Sequence, residues 1–194
     1  MNIFRVALVA ALFLVGGAAQ AHIQTFTGTL APELPGATGT GSVTVDYEEE
    51  VHLLTITTSF SGLSGLTSLA HIHCCLATPG SGTAGVAVKP PSLDDFPLGV
   101  QAGDYSHTFD LSVDGVMNQA FINLNGGTKT AAEAALVSAF NVGTAYLNIH
   151  TSTFGGGEIR AFLAPAAAVP EPATYGLLLA GLGLIGMVAR RRRR

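Results

Sequence analysis

Two histidines, His71 and His73, stand two residues apart in a run of apolar and β-branched residues. On a strand, residues i and i+2 share a face, so both imidazoles point one way and Ala70 and Ile72 the other. Further along, Tyr146, Asn148 and His150 repeat that spacing around Leu147 and Ile149, and Glu158 and Arg160 flank Ile159. If the apolar sides enter one core, the polar sides meet in one exterior patch on neighbouring strands. Three imidazoles with Glu158 make a ligand set for copper or zinc, both of which imidazole suits. The same residues also serve as a hydrogen-bonded patch that fixes strand register, with Glu158 paired to Arg160 or to a histidine. The candidate site is therefore His71, His73, His150, Glu158 and Arg160, as metal ligands or as a structural polar patch.

Cys74 and Cys75 follow His73 directly and are the only cysteines of the chain. Adjacent cysteines cannot staple distant strands. They can form a vicinal disulfide, stay reduced, bridge to another chain, or offer a thiolate to a metal beside His73. The acidic run Asp46, Glu48, Glu49, Glu50 reads as solvated surface, because three adjacent glutamates do not point at one ion. No Ser-His-Asp spacing, phosphate loop or paired-carboxylate cleft is present. No residue is assigned a catalytic role, and no cofactor beyond a copper or zinc ion is suggested.

The elements that must position these residues lie in a chain of 194 residues, 48% hydrophobic and 11% charged, with 24 Gly and no Trp. That length suits one modest domain plus processing segments. The formal charge of -4 is unevenly spread, because five of nine positive residues are the terminal run 190–194. Between His22 and Val169, three positive side chains face twelve acidic ones, leaving that body at -9. Such a surface repels phosphate backbones, which excludes nucleic-acid partners.

Both ends read as addresses. Residues 1–21 form a signal peptide: Arg5 supplies the positive region, 6–15 the apolar core, and Ala19-Gln20-Ala21 the small-x-small cleavage site. Signal peptidase would cut between Ala21 and His22, and a free amine beside the His22 imidazole can chelate copper. At the other end, residues 175–189 are uncharged and mostly apolar, followed by the arginines. As a helix they rise about 22 Å, short for a bilayer core of roughly 30 Å, a gap that snorkelling arginines and a thin membrane can close. The arginines stay cytoplasmic by charge bias, which places the body on the other side.

The body, 22–164, reads as short strands broken by Gly, Pro, Ser and Asp: 24–30, 41–47, 51–60, 69–73, 85–88, 105–111, 119–124, 145–151 and 158–163. Residues 46–50 read as an acidic hairpin tip. Only 130–140 has helical character, with Thr130 as its cap and Glu133 three residues on. The segment 89–103, with two adjacent prolines and Asp94-Asp95, reads as a long surface loop. Many short strands with Gly-rich turns predict an all-β, antiparallel, Greek-key-like β-sandwich of seven to nine strands with one short helix.

Two resemblances add to this reading. Pro170, Glu171 and Pro172, the apolar stretch and the arginine cluster resemble the PEP-CTERM sorting signal of Gram-negative bacteria. That resemblance implies a transient inner-membrane anchor within 165–194, processing by an exosortase, and delivery to the surface, outer envelope or extracellular matrix of polysaccharide-producing bacteria. Separately, 26–35, the Gly-Leu-Ser-Gly and Ala-His-Ile-His blocks of 62–73, and the closing hairpin 146–163 resemble the CHRD domain. This implies an immunoglobulin-like or superoxide-dismutase-like sandwich with no established activity. Cys74-Cys75 departs from the Gly-containing turn of the family, and 155–157 lack its usual Pro. The expectation is a non-catalytic exported surface or matrix protein associated with extracellular polysaccharide. The alternative is a copper- or zinc-binding redox protein using the histidine patch.

Overall fold

The computed structural model describes residues 22–167 and, beyond them, 176, 179–183, 185 and 189–191. The expected signal segment 1–21 and the motif Pro170, Glu171, Pro172 lie outside the described residues. Nine strands are present among those described: β1 Ile23–Pro32, β2 Thr40–Glu48, β3 Leu53–Ser61, β4 Thr67–Cys74, β5 Gly85–Val88, β6 Gly103–Asp110, β7 Tyr146–Thr151, β8 Ile159–Phe162 and β9 Ala164–Pro165. They form one mostly antiparallel sheet in the order β5-β4-β7-β8-β1-β2-β3-β6, with β9 added beside β1. The all-β expectation holds, and the sheet curls into a half-barrel around one core.

β1 makes the curl. Its residues Ile23 to Leu30 pair with β2, whereas Ala31 and Pro32 pair with Arg160 and Ile159 of β8. One long strand thus belongs to both halves, and Phe26 and Leu30 enter the shared core with Val43, Val45, Leu54, Ile56, Ile72 and Ile149. Strict alternation sends the intervening residues outward. Thr25, Thr55 and Thr108 stand in one cross-strand row and Thr57 and Ser106 in the next. Hydroxyl bonds Thr55–Thr108 at 2.8 Å and Thr57–Ser106 at 3.0 Å run along these rows. A slip by one residue would exchange the hydroxyls for the core aliphatics, so the register is fixed.

Three expectations are corrected. Residues 119–124 are a helix, α1 (Gln119–Leu124), not a strand. Asn118 caps it by accepting from the Ala120 N–H at 3.0 Å. Buried Phe121 and Ile122 are consecutive, which a strand would send to opposite faces and a helix places on one side. The second helix, α2 (Lys129–Asn141), starts earlier than expected, because Thr128 rather than Thr130 accepts from Ala131 N–H. Glu133 does not reach back to that cap. It is buried, accepts from the Tyr47 hydroxyl at 2.8 Å and meets His52 Nδ1 at 2.9 Å, which ties α2 to the end of β2. Finally, 89–103 is a loop but not wholly a surface one. Leu93 and Phe96 enter the core, Leu93 N–H donates to Ala70 O, and Ala70 N–H donates to the Ser92 hydroxyl. The acidic tip is as expected, a single 3-10 turn at Glu49–Val51.

α2 covers the open side of the core by setting Phe140, fully buried, against Phe26 with ring centroids 5.1 Å apart. Truncating Phe140 to Ala removes that contact and leaves a void. The F140A variant is expected to lose about 3–5 kcal/mol in urea unfolding followed by far-UV circular dichroism. An unchanged midpoint would contradict this account of the core.

Candidate functional site

All six residues of β7 are buried, on both faces. Leu147 and Ile149 enter the core. Tyr146, Asn148 and His150 occupy the opposite face together with His71 and His73 of β4, since Asn148 pairs with His71 and Tyr146 with His73. The shared facing is as expected, but the exterior position is corrected. His71 and His150 are buried at 5% and 7% exposure and Asn148 at 2%. Three segments cover the patch: 89–102, the stretch leading into β5, and the turn between β7 and β8. Each supplies a carbonyl. His71 Nδ1 donates to Pro91 O at 2.7 Å, His73 Nδ1 to Ala84 O at 2.8 Å, and His150 Nδ1 to Gly155 O at 3.0 Å.

The Nε2 atoms are the consequence. Those of His71 and His150 lie 3.0 Å apart, and that of His73 is buried with no partner among the described residues. One nitrogen from each of the three rings lies within 4.8 Å of the others. Ring centroids are 4.6 Å apart for His71–His73 and 4.7 Å for His71–His150. Tyr146 stacks on His73 at 4.7 Å, and its hydroxyl accepts from Ala84 N–H, which braces the covering segment. Burial lowers the basicity of His71 to about 4 against the pull of the Pro91 carbonyl. Burial also lowers that of His73. Both shifts favour the neutral ring of His71 and of His73, the form in which imidazole binds metal.

Glu158 and Arg160 serve other partners. Glu158, just before β8, is wholly buried and accepts from Thr151 Oγ1 and Ser64 N–H, each at 2.6 Å, and from Gly65 and Thr38 N–H at 3.3 Å. It pairs with neither Arg160 nor a histidine, and it is not one of the converging ligands. Arg160 lies over the rings of Tyr146 and Phe162, donates to Gly82 O at 2.8 Å and pairs with Glu33 at 3.3 Å. Gly157, at φ +127°, passes this corner closely: a Cβ there would fall 2.4 Å from Glu33 Oε2 and 2.5 Å from Asn148 Nδ2. Cys74 and Cys75 are joined in a disulfide, so neither is a free thiolate ligand. His22 is exposed, His52 meets Glu133, and His107 lies beside Asp95.

Sequence reasoning found the three imidazoles and missed what holds them. The carbonyls of Pro91, Ala84 and Gly155 belong to loops and leave no side-chain signal. The Tyr47–Glu133–His52 cluster was also missed, because Glu133 fits a capping pattern equally well.

The described residues thus form a curled antiparallel β-domain in which three histidines converge, and the sequence beyond it ends in an arginine run. The chain belongs to the CHRD domain family, whose pattern matches residues 24–163. Residues 168–194 match the PEP-CTERM protein-sorting motif, which marks the chain for export to the cell envelope or surface and implies processing by an exosortase. No curated protein and no solved structure matches the chain.

Glu158 joins β8 to the turns at Thr38 and Ser64. Burial pushes its pKa up, but the bonds from Thr151, Ser64 and Thr38 outweigh this and hold it below the ordinary 4.5. A depressed carboxylate stabilises the fold above its unfolded pKa, and this contribution is lost as pH falls through the folded value. E158Q, which turns an amide toward N–H donors, is expected to cost about 1–3 kcal/mol near neutral pH. The gap from wild type should narrow in paired urea titrations as pH falls below the ordinary 4.5 and through the lower folded value. A gap independent of pH would contradict the role of the charge.

Proposed function

We propose that this protein is a non-catalytic domain displayed at the cell surface or in the extracellular matrix of a Gram-negative bacterium. The observation that carries the reading is the order of modules, a folded domain at 24–163 followed at once by a sorting motif at 168–194. Signal peptidase releases the body at Ala21–His22. The stretch 175–189 holds it briefly in the inner membrane, and an exosortase then separates body from tail. Among the described residues no helix is long and apolar enough to cross a membrane, so the hold rests on the hydropathy of that stretch and on its arginines.

A role in binding rather than turnover suits the site. Its histidines lie under three loops, each bonded to a loop carbonyl. Association with extracellular polysaccharide is suggested only by the kind of sorting tail the chain carries.

A reporter that works only outside the cytoplasm, fused after Val169, is expected to be active, and a cytoplasmic reporter at the same position silent. Replacing Pro170, Glu171 and Pro172 with Ala should leave the unprocessed chain in the membrane fraction. Cytoplasmic activity, or normal release of the altered chain, would overturn the route.

A further inference from the structure

The proposed route assigns the domain a place and leaves its ligand unnamed. We propose that His71, His73 and His150 form a mononuclear metal site that takes copper or zinc through their three Nε2 atoms. A carbonyl oxygen only accepts hydrogen bonds, so the contacts to Pro91, Ala84 and Gly155 place a hydrogen on each Nδ1. A neutral imidazole then carries its lone pair on Nε2. The Nε2 atoms of His71 and His150 face each other at 3.0 Å. The Nε2 of His73 is buried and has no partner among the described residues. Three acceptors around one buried point repel one another unless a donor or a cation joins them.

The donor set selects the cation. Three uncharged nitrogens suit copper and zinc, whereas calcium and magnesium require oxygen ligands. The spacing fits as well. With metal–nitrogen bonds of about 2.0–2.1 Å, tetrahedral ligands stand about 3.4 Å apart. His71 and His150 are already at that separation within a few tenths of an ångström. One nitrogen from each ring lies within 4.8 Å of the others, so closing the widest gap by roughly 1.4 Å completes the set. Each ring is also oriented by a bond from its far nitrogen, the arrangement that fixes the tautomer of metal-bound histidines. Glu158 and the guanidinium of Arg160 are committed elsewhere, so three protein ligands leave a fourth position for water or a small anion.

The test uses the exported full chain, purified from the envelope, stripped with a chelator, and titrated separately with Cu(II) and Zn(II). One equivalent per chain is expected, with at least a ~100-fold loss of affinity in H73Q and in H150Q. Electron paramagnetic resonance of the copper form should show splitting from imidazole nitrogens, and H73Q should alter it. H22S should bind as wild type, which separates this site from chelation by the N-terminal amine. Far-UV circular dichroism checks the folding of each variant. If H73Q or H150Q does not fold, the wild-type protein alone decides: its unfolding midpoint should rise with Cu(II) or Zn(II) and not with Ca(II). Absence of stoichiometric uptake, uptake indifferent to His73 and His150, or uptake lost in H22S would each overturn the site. Export and processing are read independently by the reporter fusions, so failure of one proposal leaves the other standing.

Discussion

The convergence of His71, His73 and His150 depends on three backbone carbonyls. Each Nδ1 is bound by a loop oxygen at 2.7–3.0 Å, and this fixes where each Nε2 must point. Without those bonds the rings would be free to turn their polar edges toward water, as exposed histidines on a sheet do. With them, the outer face of β4 and β7 becomes an interior. The loops are themselves bound to the sheet: Leu93 N–H reaches Ala70 O, and Ala84 N–H reaches the Tyr146 hydroxyl. Site and cover therefore stabilise each other.

This mutual dependence explains why a central strand such as β7 can be buried on both faces in an antiparallel sheet. Such sheets commonly keep one face wet. The half formed by β2, β3 and β6 does so, with hydroxyls outside and aliphatics inside. The half formed by β4, β7 and β8 has a second, polar interior instead. Burying polar groups costs free energy unless they are bonded, so this second interior demands partners at every position. Glu158 meets the demand by gathering Thr151, Ser64, Gly65 and Thr38. Arg160 meets it through Gly82 and Glu33. Among the described residues, the buried side-chain atoms that remain unmet are His73 Nε2, Asn148 Oδ1 and Glu33 Oε2.

Alternation made much of the fold legible. Ser-Val-Thr-Val around Val43 and Val45, and Tyr-Leu-Asn-Ile-His in β7, could be phased residue by residue, and the strands fall within a few residues of the expected bounds. Periodicity failed where a local cap decided the matter. Residues 119–124 carry an apolar pair compatible with either state, and Asn118 settles it as a helix. Alternation also tells which residues share a face but not what covers that face. The histidines were thus grouped correctly and placed outside wrongly, because the covering segments act through main-chain atoms that any sequence possesses.

The difference between Glu158 and the histidines shows why residue type alone could not define the site. A carboxylate two residues from Arg160 invites an ion pair, and its proximity to His150 in sequence invites a ligand role. Yet a buried carboxylate accepts several donors at once, and backbone N–H groups at Ser64, Gly65 and Thr38 meet that need without a cation. Arg160, relieved of Glu158, lies flat on Tyr146 and Phe162, where its planar guanidinium retains donors for Gly82 and Glu33. Neither group donates to or accepts from an imidazole. What remains at the centre is a set of three imidazoles, each bound to a backbone carbonyl through its far nitrogen. That composition, rather than the mere presence of histidine, separates a site for a soft or borderline metal ion from a network of ion pairs.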